Sequence, residues 1–297
     1  MPELPEVETI ARGLARRVTG DVIESVWLGS KPEPLKSPAA EIVSTLEAKR
    51  IADVRRVGKH IVFDLDNGGR ASSPVANRTQ GSPRARSKTL AGKSVRPTQG
   101  VAQWVVHLGM TGRMLVSEPS AEVEKHTHAI AKLSSGRELR FVDPRRFGRL
   151  SVTHGFQAAG SEPLDVELDR FVSLFRGRKT PIKSALLNQK LLSGVGNIYA
   201  DESLFRAGIR PRRRAASLTR EELRRLYLSV QEVLKEAIAL GGSSISDYVD
   251  SNGEEGFFQL QHRVYGREQE PCLVCKTPIK RLVIAGRSSH YCPKCQK

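Results

Sequence analysis

The stretch HAIAKLSSGRELRFVDPRRFGRLSVT, His128 to Thr153, alternates apolar with polar residues and is broken by Gly136 and Pro144. That is the pattern of short strands half-buried against a core. The same signal recurs upstream in DVIESVWLG (21–29), RIADVRRVGKHIVFDLDNG (50–68) and QWVVHLGMTGRMLVS (103–117). Ahead of these runs, Val7, Ile10, Ala11, Leu14 and Val18 repeat at helical spacing with Gly20 as a stop, which predicts one amphipathic helix over residues 5–19. Residues 1–155 therefore read as an antiparallel β-sandwich with a leading helix, the N-terminal part of an α+β protein.

Residues 68–100 interrupt the strands with Ser, Pro, Gly and seven Lys or Arg but no acid, a composition that predicts a disordered basic insertion. From about residue 165 the period becomes helical. Thr219 and Glu222 are spaced as a capping box, and Leu223, Leu226, Tyr227, Val230, Val233, Leu234, Ala237 and Ile238 share one face up to Gly241 and Gly242. Before it, TPIKSALLNQ and NIYADESLFRAG read as two short helices joined by KLLSGVG, with Asn197 as N-cap and free backbone N–H groups there suited to a phosphate. The Arg210–Arg214 run reads as a solvated face. Residues 165–262 thus form a helical domain, and 263–297 a separate C-terminal unit.

At 297 residues the chain exceeds what one core usually holds, and its 48 Lys+Arg against 32 Asp+Glu give a net charge of +16. The insertion supplies +7 of this, so +9 remains elsewhere. Such a balance favours a polyanion, nucleic acid first, although an acidic membrane surface or a ribosome fits charge alone equally well. No run of apolar residues is long enough to span a bilayer, and the acidic start does not resemble a signal peptide, so a cytoplasmic protein that does not engage membranes is expected.

All four cysteines lie near the end as Cys272-x2-Cys275-x16-Cys292-x2-Cys295, two thiolate pairs spaced for one structural Zn²⁺. The TPIKRLVIAGRSSHY between them reads as two strands and a turn, a zinc-ribbon β-hairpin carrying Lys280, Arg281, Arg287 and Lys294. At the other end, MPELPEVE raises a different chemistry. Loss of Met1 would leave Pro2 with a free secondary amine that is substantially neutral near pH ~8 and able to attack carbon, with Glu3 beside it to move protons. On these residues alone, a chain end that frays into solvent is the favoured reading.

Taken together, MPELPEVE, Lys59 in VGKH, HLGMTGRM (107–114), DPRRFGR (143–149), GVGNIYADE (194–202) and the four-cysteine hairpin ending YCPKCQ resemble the formamidopyrimidine-DNA glycosylase family, end to end apart from 68–100. Leu4 in PELPE favours this family over the sister endonuclease VIII group. The resemblance implies a sandwich, a helix-two-turn-helix domain and a zinc finger, and a monomer that removes 8-oxoguanine and formamidopyrimidines from double-stranded DNA and cuts abasic sites. Pro2 would form the iminium and Glu3 would be the acid/base, with Glu6 in support and Lys59 and Arg287 in the catalytic group. His107, Asn197 and Lys183 would hold DNA, with Glu202 near the site. Met110, Arg145 and Phe147 would fill the vacated stack, Arg145 reading the orphaned cytosine, and residues 243–256 would close over the flipped base. Two departures stand out, the insertion and Asn188 where an aspartate is common. The competing expectations are an endonuclease VIII-like enzyme acting on oxidised pyrimidines and a zinc-ribbon DNA reader without catalysis.

Overall fold

The computed structural model describes residues 1–68, 101–244 and 256–297. The 68–100 insertion, beyond Gly68, and most of the 243–256 loop therefore lie outside the described residues. Chain order begins with helix α1 (Leu4–Val18), strand β1 (Ile23–Leu28), helix α2 (Ala39–Leu46) and strands β2 (Arg50–Val57), β3 (His60–Asp66), β4 (Ala102–His107), β5 (Arg113–Ser117), β6 (Thr127–Leu133), β7 (Glu138–Val142) and β8 (Arg149–His154). Two four-stranded sheets result, ordered β1-β6-β7-β5 and β2-β3-β4-β8, with antiparallel pairing throughout. Phe63 and Trp104 from one sheet, and Met114, Ala131 and Phe141 from the other, share a single apolar core with the buried stripe of α1.

The leading helix starts at Leu4, one residue before the sequence expectation. Its first turn belongs elsewhere: Leu4 packs into the core of the helical half, whereas Val7, Ile10, Ala11, Leu14 and Val18 pack into the sandwich. Helix α2 escapes the sequence reading, because in eight residues it fully buries only Ile42 and Leu46, too few to display a period.

The helical half comprises α3 (Leu168–Phe175), α4 (Ile182–Leu186), α5 (Asn197–Ala207) and α6 (Arg220–Ala239). Helix α6 follows its sequence signals. Thr219 Oγ1 accepts the Glu222 N–H at 3.2 Å and Glu222 Oε2 accepts the Thr219 N–H at 2.8 Å, while Leu223, Leu226, Val230, Val233, Leu234 and Ala237 are buried. The Arg210–Arg214 run is more occupied than a solvated face. Arg210 donates to the Gln296 and Pro293 carbonyls, and Arg213 pairs with Glu222. Strands β9 (Lys280–Ile284) and β10 (Arg287–Tyr291) form the C-terminal hairpin over a small cluster of Val264, Cys272, Ile279 and Cys292. Among the described residues no helix is long and apolar enough to cross a membrane.

Because Leu14 is wholly buried in the sandwich core, Leu14→Ala is expected to cost about 3 kcal/mol through lost burial and a residual cavity. Chemical denaturation would check this; a change below about 1 kcal/mol would mean the helix is not integral to that core.

Candidate active site and its four-cysteine flank

The first turn of α1 meets the GVG turn that leads into α5. Leu4 N–H donates to the Gly194 carbonyl at 3.0 Å. Glu3 Oε1 accepts the Ile198 N–H at 3.1 Å and Oε2 lies 3.5 Å from the Tyr199 nitrogen. Gly196, not Asn197, occupies the N-cap position of α5, and Asn197 is the first helical residue. The N–H groups expected to be free for a phosphate are thus taken by a carboxylate from the other half of the chain. This approach requires glycine: a Cβ on Gly196 would sit 2.2 Å from Glu3 Cδ.

Glu6 locks the same turn. Its Oε2 accepts the Glu3 N–H at 2.7 Å, and its Oε1 accepts the Ser243 N–H at 2.8 Å and the Tyr199 hydroxyl. Burial pushes the Glu3 carboxyl up to about 7; Lys59 pulls it down, Glu6 pushes it further up, and the Ile198 and Tyr199 amides pull it down. The Glu6 carboxyl is likewise raised, mainly by burial, against the pull of its hydrogen bonds. Lys59, buried in the β2–β3 turn, has its ammonium value lowered by burial, opposed by Glu3 and Glu6 and reinforced by Arg287.

Pro2, Glu3, Lys59, Met110, Arg145, Asn197 and Arg287 line one cavity of about 430 Å³, with Met1 at its edge. Met110 and Phe147 are 43% and 53% exposed, unusually bare for such apolar side chains, and the Arg145 guanidinium lies 4.9 Å over the Phe147 ring. Buried Asp143 organises them. Its Oδ1 accepts Thr111 Oγ1–H at 2.6 Å and Arg145 N–H at 3.2 Å, and its Oδ2 accepts Gly148 N–H at 2.7 Å. The two loops touch at Gly109, where φ is +66° and a Cβ would lie 2.5 Å from the Phe147 carbonyl carbon.

His107 does not line the cavity. Its Nδ1 accepts the Gly109 N–H at 3.0 Å. Burial, then His60, Arg149 and Lys59, hold it down at about 4, so at neutral pH it is uncharged with Nε2–H left to donate. Lys183 departs further from the expectation of a DNA contact. It is completely buried, with Nζ 2.7 Å from Asp201 Oδ1 and donating to the Ser288 carbonyl at 2.6 Å. A cation so enclosed positions the hairpin strand that carries Arg287, rather than facing a ligand. Asn197 adds to that hold, its Nδ2 donating to Ser288 Oγ at 3.2 Å.

The four cysteine sulfurs lie within 4.8 Å of one another, with Cys275–Cys292 at 3.3 Å and Cys272–Cys295 at 3.9 Å. A tetrahedral zinc site with ~2.3 Å bonds has sulfur–sulfur edges of ~3.8 Å, so this donor set fits one structural zinc ion with all four positions supplied by protein. Gln296 fastens the second knuckle to the helical half, accepting Cys292 N–H at 2.8 Å and donating to the Ile209 carbonyl at 2.8 Å.

Three family models match along the chain: the formamidopyrimidine-DNA glycosylase N-terminal domain over residues 1–150, the H2TH domain of the same enzyme over 159–249, and a zinc finger found in FPG and IleRS over 269–297. A formamidopyrimidine-DNA glycosylase from Solibacter usitatus is 41% identical over 302 residues, covering 100% of each chain. The chain belongs to the formamidopyrimidine-DNA glycosylase family. Among solved structures, the MutM (Fpg) protein of Thermus thermophilus matches at 39% identity and TM-score 0.79, covering 99% of this chain and 98% of that one. A Lactococcus lactis Fpg mutant, in complex with Fapy-dG containing DNA, matches at 30% identity and TM-score 0.83 over 100% of both chains.

The site also rests on three residues to which the sequence reading gives no specific role. Asp143 enters the sequence reading only within the DPRRFGR motif, with no role of its own. Tyr265 lines the cavity, its hydroxyl raised mainly by burial. Glu202, expected only near the site, accepts the Arg263, Val264 and Tyr265 N–H groups at 2.9, 3.0 and 2.8 Å and so holds Tyr265 in place.

Two outcomes follow from this geometry. A carboxyl raised from 4.5 to about 7 contributes its stability fully below 4.5 and loses it as pH rises through 7. In a form retaining Met1, Glu3→Gln should therefore flatten the decline in stability between pH 5 and 8.5 by about 3 kcal/mol. Melting curves across that range check it, and parallel curves for both chains would contradict it. Zinc removal by a chelator should let trypsin cut after Lys280 and Arg281, already exposed but held in a folded strand, because the hairpin has little core of its own. An unchanged digestion pattern after measured zinc release would show that the metal does not hold the hairpin.

Proposed function

We propose that this chain is a bifunctional DNA glycosylase and abasic-site lyase of base excision repair, removing oxidised purines from double-stranded DNA with Pro2 as nucleophile. The observation that carries the reading is the placement of Pro2 on a cavity wall beside a buried carboxyl raised to about 7 and a buried lysine. The Lactococcus lactis relatives crystallised with Fapy-dG containing DNA and with DNA containing an abasic site supply the substrate class.

Loss of Met1 turns the Pro2 amide nitrogen into a secondary amine. That nitrogen attacks C1′ of the damaged nucleotide as the bond from C1′ to the base breaks; the electron pair leaves with the base, which takes up the proton that the Pro2 nitrogen sheds, so the nitrogen regains its lone pair. Glu3, poised to hold a proton near neutral pH, protonates the ring oxygen as the C1′–O4′ bond opens, leaving an iminium between Pro2 and C1′. Loss of a C2′ proton expels the 3′-phosphate, and a second elimination expels the 5′-phosphate. Water then releases the sugar fragment and restores the amine.

The base must leave the stack before any of this happens. Lys59, His107, Asn197 and Arg287 hold backbone phosphates in this reading, while Met110 and Phe147 wedge into the gap and Arg145 faces the orphaned cytosine. Lys183 acts indirectly, by holding the strand that carries Arg287. The protein works as a monomer in the cytoplasm, on nucleoid DNA.

Borohydride should trap a covalent adduct between the mature chain and a duplex carrying 8-oxoguanine opposite cytosine. Retaining Met1 should abolish the adduct, and Glu3→Gln should slow it by at least roughly a hundredfold, in the range of general acid–base contributions. Tight binding without any adduct would instead leave a zinc-ribbon lesion reader, and faster trapping on an oxidised pyrimidine would favour endonuclease VIII-like specificity.

A further inference from the structure

Tyr199, in the first turn of α5, is completely buried, with its ring centroid 5.4 Å from that of Phe258. It reaches both buried carboxyls at once. Its backbone nitrogen lies 3.5 Å from Glu3 Oε2, and its hydroxyl donates to Glu6 Oε1.

Glu6 meets donors on both oxygens. Ser243 N–H also reaches Oε1, at 2.8 Å, and Glu3 N–H reaches Oε2 at 2.7 Å. A protonated carboxyl carries a hydrogen that needs an acceptor, and here that hydrogen would face an N–H or an O–H instead. Three donors converging on one carboxyl therefore favour its anion. The two N–H groups are fixed by the backbone, one of them in a turn so close that a Cβ on Gly242 would lie 2.9 Å from Glu6 Oε1. Burial raises the Glu6 carboxyl, and of the groups that oppose burial the Tyr199 hydroxyl acts most strongly.

We propose that Tyr199 is a positioning residue for the proton chemistry at Pro2: its hydroxyl reserves Glu6 as an acceptor, so that the proton taken up by this pair of carboxyls goes to Glu3. It rests on the DNA-glycosylase reading, in which Glu3 delivers that proton to the ring oxygen of the sugar. Two carboxyls that sense each other's charge do not titrate independently. An anion at Glu6 disfavours the charged form of Glu3 and so helps Glu3 hold its proton. A neutral Glu6 withdraws that help and has taken the proton itself.

Tyr199→Phe deletes the hydroxyl and keeps the ring. The proton affinity of Glu6 then rises, because the lost hydrogen bond stabilised its anion. As pH falls, Glu6 takes up its proton at a higher pH than before, and uptake by Glu3 is deferred to a lower one. The other groups around the pair are Lys59 from the β2–β3 turn, Lys183 from α4, Arg287 from β10, Tyr265 and His262 from the segment after α6 and, after loss of Met1, the Pro2 amine. Burial holds His262 at about 4, so it stays uncharged near neutral pH. The substitution leaves all of them in place.

The test is single-turnover strand cleavage by the mature full-length chain on a duplex with 8-oxoguanine opposite cytosine, at pH 6.5 and 8.5. Relative to the native chain at the same pH, Tyr199→Phe should be at least roughly threefold slower at pH 6.5 and within roughly twofold at pH 8.5, where Glu6 is an anion in both chains. In a Glu6→Gln background, with no anion to reserve, adding Tyr199→Phe should slow cleavage by less than roughly twofold at either pH. Affinity for a duplex with a non-cleavable abasic analogue should stay within roughly twofold of native, as for a group that acts on the reaction and not on binding.

Equal slowing at both pH values, or slowing of the same size in the Glu6→Gln background, would overturn the proposal and leave Tyr199 as packing alone. If Tyr199→Phe loses binding, 3-fluorotyrosine placed at position 199 keeps the ring and makes the hydroxyl a stronger donor. The ratio of its rates at pH 6.5 and 8.5 should then equal or exceed the native ratio, and a lower ratio would overturn the proposal. Absence of cleavage by the native chain would be a failure of the glycosylase reading instead.

Discussion

The Glu3 carboxylate is the constraint on which the rest of the site depends. It belongs by sequence to the sandwich half, yet it accepts backbone N–H groups at the start of α5 in the helical half. The same first turn is pinned again through Leu4 N–H to Gly194 and through Glu6 to Tyr199 and Ser243. Pro2 is therefore held by groups from both halves, and the cavity exists only where they meet. A negative group at a helix N-terminus is favourable, which offsets part of the cost of burying it.

The remaining cost is what makes the carboxyl useful. Fully satisfied by amides and partnered closely by a lysine, Glu3 would be a permanent anion with nothing to donate. Burial wins over those attractions and keeps a proton available near neutral pH. Lys59 must then be near enough to steady the charged form without fixing it. Arg56 sets that distance from behind: it donates to the Gly58 carbonyl at 3.2 Å, next to Lys59, while Glu8 of α1 and Glu162 hold its guanidinium at 2.7 to 2.9 Å. Glu8 sits on the helix that carries Glu3, so the lysine turn and the carboxylate share one frame.

Periodicity made most of the fold legible. The strand runs, the long stripe of α6 and the cysteine spacing each contain enough residues for a pattern to exceed chance, and each forms the element it announced. Short elements such as α2 do not reach that length. The site was legible only as a set of motifs in order, because Pro2, Lys59 and Arg287 come from three distant places and no local pattern joins them. Partner choice was the least legible part. Lys183 and the N–H groups that open α5 are polar groups that a sequence assigns readily to DNA, but whether such a group faces a ligand or a buried carboxylate depends on what folding brings opposite it. Lys183 met Asp201, and the α5 amides met Glu3.

A similar division explains the bare apolar tips of Met110 and Phe147. Exposed Met110 and Phe147 lose free energy in water, and a flexible loop would hide them against the sheet. Asp143 prevents that collapse: fully buried, it commits its carboxylate to Thr111 in one loop and to Arg145 and Gly148 in the other. Its carbonyl is engaged as well, 2.9 Å from His128 Nε2. A buried acid with unmet hydrogen bonds is more costly than a bare methionine and phenylalanine, so the loops keep the shape that satisfies Asp143 and leave the apolar tips outside. The exposure of these two side chains is thus a consequence of polar satisfaction beneath them.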